Sequence, residues 1–478
     1  MKKSDYVLPI IIALIALAFS VNSSSIWIDE MLTYKVIHGV GFSEMLANVW
    51  NSHDANGGMP LFFVFEWMWT QLFGYSEIGL RSLNIPFAII YFIASWAIIR
   101  KLNAPSWLCV LFFLNPVFIY YMNEARPYVI LLCFGNIFTY LLLCRNLNDY
   151  KTLFLLHFAF LTGFLTHMMF AFIMLMYVVQ FILLIRLKKL DFKKHLFVLG
   201  VFAVPYILVL YHYMTIMTGA AELGGVGGLV PNWKASIVQI VYYFSGFGGL
   251  GLSRNDLRAM LFAQLSWEQI ACMALMAFGY FTLFLHVIKN KLWKEKKLAA
   301  TSLIAITAFA GFCVINILFH TRFWERHIIY LIPVLLILLG SIIQSMAASK
   351  KVIYITGAVL IVGLTTISGL RIMFDKYHEK EDYKGVAAYI NDAKQGTFFI
   401  QGDTLIYNYY GVDLSSHKIL TINNVNIEEL NSISSEKEAP LYLVLSSRSE
   451  FDSEKLYYTT YGTDDIKYNS FRIVQYKP

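Results

Sequence analysis

The chain has 478 residues, of which 58% are hydrophobic, 16% aromatic and only 14% charged, with a mean hydropathy of +0.58 and a formal net charge of +7. Such a balance excludes an ordinary soluble domain and indicates a polytopic membrane protein, in which net charge is read through its distribution over the loops and implies no nucleic-acid partner. The five cysteines all fall in or at the ends of apolar runs, so neither a disulfide framework nor a metal-binding cysteine set is indicated.

The opening Met1-Lys2-Lys3 and the apolar run 6–22 predict a retained first span, because Val21-Asn22-Ser23-Ser24-Ser25 is a poor cleavage site. A helix that crosses a bilayer needs about 20 apolar residues. Further spans are expected near 82–99, 105–121, 127–144, 152–166, 168–185, 196–213, 267–288, 299–319, 328–346 and 352–373, about eleven in all. The run Pro60–Gly74 is apolar but short and carries Glu66 and Gln71. Placed along the outer interface, it leaves 18 Lys and Arg on the inner loops and eight on the outer loops ahead of the tail. If it crossed instead, the basic segments 186–195 and 289–297 would face outward, against the positive-inside rule.

Fifteen of the inner cations are Lys, whereas six of the eight outer ones are Arg: Arg81, Arg126, Arg254, Arg258, Arg322 and Arg326. Guanidinium binds phosphate bidentately and tolerates partial burial better than ammonium does, so an outward-facing phosphate site is expected. Two outer segments are long, 23–81 and 214–266, and the second carries a glycine-bearing stretch, 219–231, that suits a closing loop. After about residue 375 the composition turns polar. Strand-like runs at 397–402, 418–422, 441–447 and 471–476 and a helix near 380–394 predict a small outer α/β domain. The expected domains are therefore a membrane domain, 1–374, and a tail domain, 375–478.

Candidate chemistry collects at the outer ends of spans. Asp29-Glu30 follows the first span; either it is a solvated acid pair at a helix start, or it supplies a general base near a lipid headgroup. Glu124 and Arg126 occupy a tight turn between two apolar runs, where polar groups are costly and usually functional. His167 caps another hairpin, and a third, 320–327, holds Arg322, Glu325 and Arg326, which read equally as a mutually paired cluster. His53, Asp54, Glu30 and His167 have no metal-ligand spacing; a divalent metal is compatible with the chemistry but not indicated, and no cofactor is required.

Taken together, Asp29-Glu30, the stretch 59–89, NPVFIYYMNEARPY (115–128), THMM (166–169) and RFWERHIIYLIP (322–333) resemble the bacterial relatives of the protein O-mannosyltransferases and the lipid A aminoarabinose transferase, both GT-C membrane glycosyltransferases. The resemblance covers roughly residues 1–350. It implies a GT-C fold of about 11 transmembrane helices and inverting transfer of a sugar from a polyprenyl-monophosphate donor to an extracytoplasmic glycan, lipid or protein. It also implies residence in the inner (plasma) membrane, where the lysine-rich inner loops predict a cytoplasmic N-terminus and the odd span count an outer C-terminal domain. Carried onto matching positions, Asp29 is the base with Glu30 beside it, and Glu124, Arg126, Arg81, Arg326, Arg322, His167 and Tyr128 form the substrate-binding set. Where the aminoarabinose transferases carry a Glu-Lys pair, this chain has Gly58-Met59, which argues against lipid A as acceptor. The rival readings are a polymerase or ligase using a diphosphate-linked donor and a transporter, which predicts inverted repeats and helices broken near mid-membrane.

Overall fold

The computed structural model describes residues 4–52, 56–222, 233–258, 262–318, 324–393, 397–400, 404–413, 418–421, 441–446, 462–468 and 471–476. The chain divides into two compact units, Met1–Val21 with Val36–Phe374, and Asn22–Lys35 with Asp375–Pro478.

The first unit is helical. Seven helices among the described residues are long and apolar enough to cross a membrane: Glu77–Lys101, Met168–Arg186, Phe192–Ile216, Trp267–Lys289, Lys296–Leu318, Glu325–Ala348 and Val352–Phe374. Tyr6–Ser20, Tyr128–Cys144 and Tyr150–Thr166 are shorter apolar helices. Long helices keep large apolar side chains on their outer faces, such as Val204, Ile207, Leu208 and Tyr211. Water would not tolerate so continuous an apolar surface, and lipid does. The protein is an integral, multi-pass membrane protein.

The span expected at 105–121 is not one helix. A short 3-10 turn, Ser106–Leu108, leads into a helix, Cys109–Phe113, and a separate helix, Pro116–Met122, follows. Pro116 has no N–H to give and its ring clashes with the preceding turn, so the first helix ends before it. Asn115 caps the second, its side chain accepting the Val117 N–H at 3.0 Å. The backbone of Gly369 lies against the Leu114 carbonyl, leaving no room there for a Cβ. The helix Pro60–Phe73 begins with proline at its first turn, buries Phe62, Phe63, Glu66 and Thr70 on one face, and exposes Met68, Leu72 and Phe73.

In the second unit, the helix Tyr383–Asp392 precedes a five-stranded sheet ordered β2-β1-β3-β5-β4, with β1 Thr397–Ile400, β2 Lys418–Thr421, β3 Leu441–Ser446, β4 Gly462–Tyr468 and β5 Phe471–Tyr476. β1 runs parallel to β2 and β3, while β5 pairs antiparallel with β3 and β4. The register opposes Phe398 to Tyr442, whose rings stack at 4.9 Å. The segment 22–35 packs within this unit: Tyr410 accepts the Ile26 N–H at 2.6 Å and Ser25 accepts the Lys384 N–H at 3.1 Å.

Candidate active site

Within the first unit, the turn after Met122 is held by Asn84, whose amide donates to the carbonyls of Tyr121, Met122 and Glu124, the last at 2.7 Å. The turn places Glu124 inward, with none of its surface exposed. Arg254 Nη1 lies 3.4 Å from Glu124 Oε1, and Arg254 Nη2 lies 3.0 Å from Glu325 Oε1. Tyr121 donates its hydroxyl to the same Glu325 oxygen at 2.7 Å, and the guanidinium sits over the rings of Tyr120 and Tyr121. Arg254 and Glu325 are buried as well. Two carboxylates therefore share one guanidinium and an aromatic cage, a geometry that offsets the cost of burying charge.

Beside this triad lies a second cationic group. Burial pushes the His167 imidazole down to about 3, and the neighbouring guanidiniums of Arg126 and Arg326 push in the same direction. The imidazole is neutral, and its Nδ1 accepts the Met169 N–H at 3.1 Å, which leaves Nε2 as the protonated nitrogen. The Arg326 guanidinium rests over the Tyr128 ring at 5.7 Å. Arg126 Nη2 contacts the Met59 sulfur at 3.8 Å, and the Gly58 carbonyl accepts the Met168 N–H at 3.0 Å. Gly58-Met59 thus stands against the arginine and the histidine hairpin.

Arg81 is fully buried in the second turn of the span Glu77–Lys101. Arg322 lies outside the described residues, as do His53 and Asp54. The structure thus gathers Glu124, Arg126, Tyr128, His167 and Arg326, and adds three groups that sequence reading left out of the site: Arg254, Glu325 and Tyr121. Arg254 carried a signal, being one of six outer arginines, but nothing local marks its partner. Among the described residues, no three His, Cys, Asp or Glu side chains have metal-binding geometry.

The acid pair lies in the second unit and its two members differ. Asp29 is partly exposed in the first turn of the helix Ile28–Ile37. Glu30 is fully buried; its carboxylate accepts the Trp27 N–H at 3.3 Å and faces Lys380 Nζ at 3.8 Å, while that ammonium lies over the Trp27 ring. Glu30 caps its helix and pairs with a buried cation.

Two solved structures superpose along nearly the whole chain. ArnT from Cupriavidus metallidurans bound to undecaprenyl phosphate matches with a TM-score of 0.52 at 12% identity, covering 99% of this chain and 98% of that one. Its apo form matches with a TM-score of 0.52 at 13% identity, covering 98% and 97%. The fold is that of ArnT. The fold expected from the resemblance is met, and among the spans read from hydropathy 105–121 is replaced by two short helices. No family model and no curated protein matches the sequence.

Proposed function

We propose that this protein is an inverting membrane glycosyltransferase that takes a sugar from a polyprenyl monophosphate, such as undecaprenyl phosphate, to an acceptor hydroxyl or amine on a glycan, lipid or protein outside the membrane. The observation that carries the reading is the pair Arg126 and Arg326 around a buried, neutral His167. Guanidinium forks bind phosphate bidentately and tolerate partial burial, so two of them at one hairpin suit a lipid phosphate. The ArnT structure of the same fold, recorded with undecaprenyl phosphate, supports a lipid phosphate as that anion.

In the proposed reaction Asp29 accepts the proton of the acceptor, whose oxygen or nitrogen attacks the anomeric carbon; the bond to the phosphate oxygen breaks on the opposite face. One displacement gives inversion. Arginines stabilise the phosphate as charge returns to it, a fixed electrostatic contribution of the oxyanion-hole kind, and this route calls for no metal. The seven long helices, three shorter ones and the broken pair 109–122 support eleven crossings, and the lysine-rich loops support a cytoplasmic N-terminus with the tail outside.

The test uses purified full-length protein in liposomes with undecaprenyl-phosphate sugars and cell-envelope extract as acceptor, read by mass spectrometry. Transfer by wild type and its loss in Asp29→Asn is the expected result. Equal transfer by Asp29→Asn removes Asp29 as the base.

A further inference from the structure

The helix Trp233–Phe244 buries Ser236, Gln239, Ile240 and Tyr243 on one face and exposes Lys234 and Val241 on the other. Spacings of three and four place Ser236, Gln239 and Tyr243 in one line. That face meets the turn Glu325–Leu331 and the helix Pro116–Met122, the two elements that supply Glu325, Tyr120 and Tyr121 to the triad. Tyr243 stands at the triad end of the line, its ring 6.2 Å from Tyr120.

Gln239 is one turn further along the same line and only 1% exposed, yet neither its amide oxygen nor its amide nitrogen has a hydrogen-bond partner. Buried amides are nearly always satisfied, and each exception calls for an explanation. A purely structural role would be filled better by Leu or Met. A carboxamide offers a donor and an acceptor side by side, the complement of a hydroxyl that both accepts and donates. A ring sugar joined to a phosphate carries such hydroxyls two or more bonds from its anomeric carbon, a reach that matches one helical turn.

We infer that Gln239 is a specificity residue that hydrogen-bonds a ring hydroxyl of the donor sugar. This rests on the glycosyltransferase reading above. The unsatisfied amide makes the site discriminating, because a donor lacking the hydroxyl leaves it unpaired.

The experiment compares wild type, Gln239→Leu and the volume-conserving Gln239→Met as full-length protein in detergent. Affinities for undecaprenyl phosphate and for a panel of undecaprenyl-phosphohexoses and undecaprenyl-phosphopentoses are read by thermophoresis, and Tm by differential scanning fluorimetry. Wild type should bind one sugar-bearing lipid more tightly than undecaprenyl phosphate; both variants should lose that gain, about 10- to 100-fold, keep their affinity for undecaprenyl phosphate and melt at a higher temperature. Retention of the gain in both variants overturns the role of Gln239 while leaving the glycosyltransferase reading in place. Equal loss for both lipids with a lowered Tm assigns Gln239 to structure and also overturns it. Failure of wild type to bind undecaprenyl phosphate overturns the glycosyltransferase reading itself and this inference with it.

Discussion

The Arg254 guanidinium reaches the Glu325 carboxylate at 3.0 Å, joining the second long loop to the turn that opens the helix Ile332–Ala348. Both groups are buried, so removing one leaves the other with fewer partners and no water to replace it. Arg254→Met is expected to cost about 3–5 kcal/mol and Glu325→Gln somewhat less, since Gln keeps an acceptor for Tyr121. A double-mutant cycle by thermal unfolding in detergent measures the coupling. An additive double mutant would mean the pair contributes nothing of its own.

The two acids of the first loop should separate cleanly. Asp29→Asn is expected to leave the stability within about 0.5 kcal/mol of wild type, as for a surface change, and to abolish transfer. Glu30→Gln keeps an acceptor for Trp27 but puts an amide in place of the carboxylate facing Lys380, for a loss of about 1–3 kcal/mol. Stability and transfer measured on the same two preparations decide the assignment; a folded, inactive Glu30→Gln would move the chemistry to Glu30.

His167 predicts a pH dependence. Unfolded, an imidazole takes up a proton near pH 6.5; folded, His167 does so only near 3. Between these values the unfolded state binds more protons, so stability falls as pH is lowered, by up to about 1.4 kcal/mol per pH unit. His167→Asn, whose side chain can still accept the Met169 N–H, should show a flatter fall of Tm from pH 6 to pH 4. Parallel curves for the two proteins would contradict the buried neutral imidazole.

Gly135 sets where the site hairpin stands. A Cβ there would meet the Tyr330 carbonyl oxygen at 2.8 Å and its Cα at 2.9 Å, both of them backbone. Gly135→Ala must therefore push the turn carrying Glu325 and Arg326 away from the helix Tyr128–Cys144. We expect weaker binding of undecaprenyl phosphate, by 10-fold or so, as misplacement of a binding group by about 1 Å can cost more than that. Gly200→Ala, at a position with open space, is the control and should bind as wild type does.

Orientation is checked by cysteine labelling. Single cysteines at the partly exposed Leu292 and the exposed Lys376 should react with an impermeant maleimide from opposite sides, Lys376→Cys in intact cells and Leu292→Cys only in inverted vesicles. Labelling of Leu292→Cys in intact cells would reverse the topology.

The helices were largely legible in the sequence because lipid demands long apolar runs, and hydropathy records them. The break at Asn115-Pro116 carried its own local signal, a capping residue followed by proline, but uninterrupted hydropathy across 105–121 hid it. Glu124 and Arg126 were legible because charge is rare at the end of an apolar run. The triad was not: Arg254 and Glu325 come from segments far apart in the chain, and pairing across that distance is decided by packing. The pairing of Glu30 with Lys380 was not legible either, because Lys380 comes from a remote segment. The sheet had four of its strands on apolar runs; β4, Gly462–Tyr468, is polar and gave no such pattern.

Residues 22–35 share a unit with the end of the chain, and the Ser25 to Lys384 hydrogen bond spans 359 positions. Synthesis proceeds at about 5–20 residues per second, so the segment emerges roughly 20 to 70 s before the residues that bury Trp27 and Glu30 exist. During that interval an apolar strip and an ionised glutamate wait beside the membrane for partners. Assembly of this protein therefore closes on its last hundred residues, and a chain halted at residue 374 would hold its spans in the bilayer while the proposed base sat on an unfolded loop.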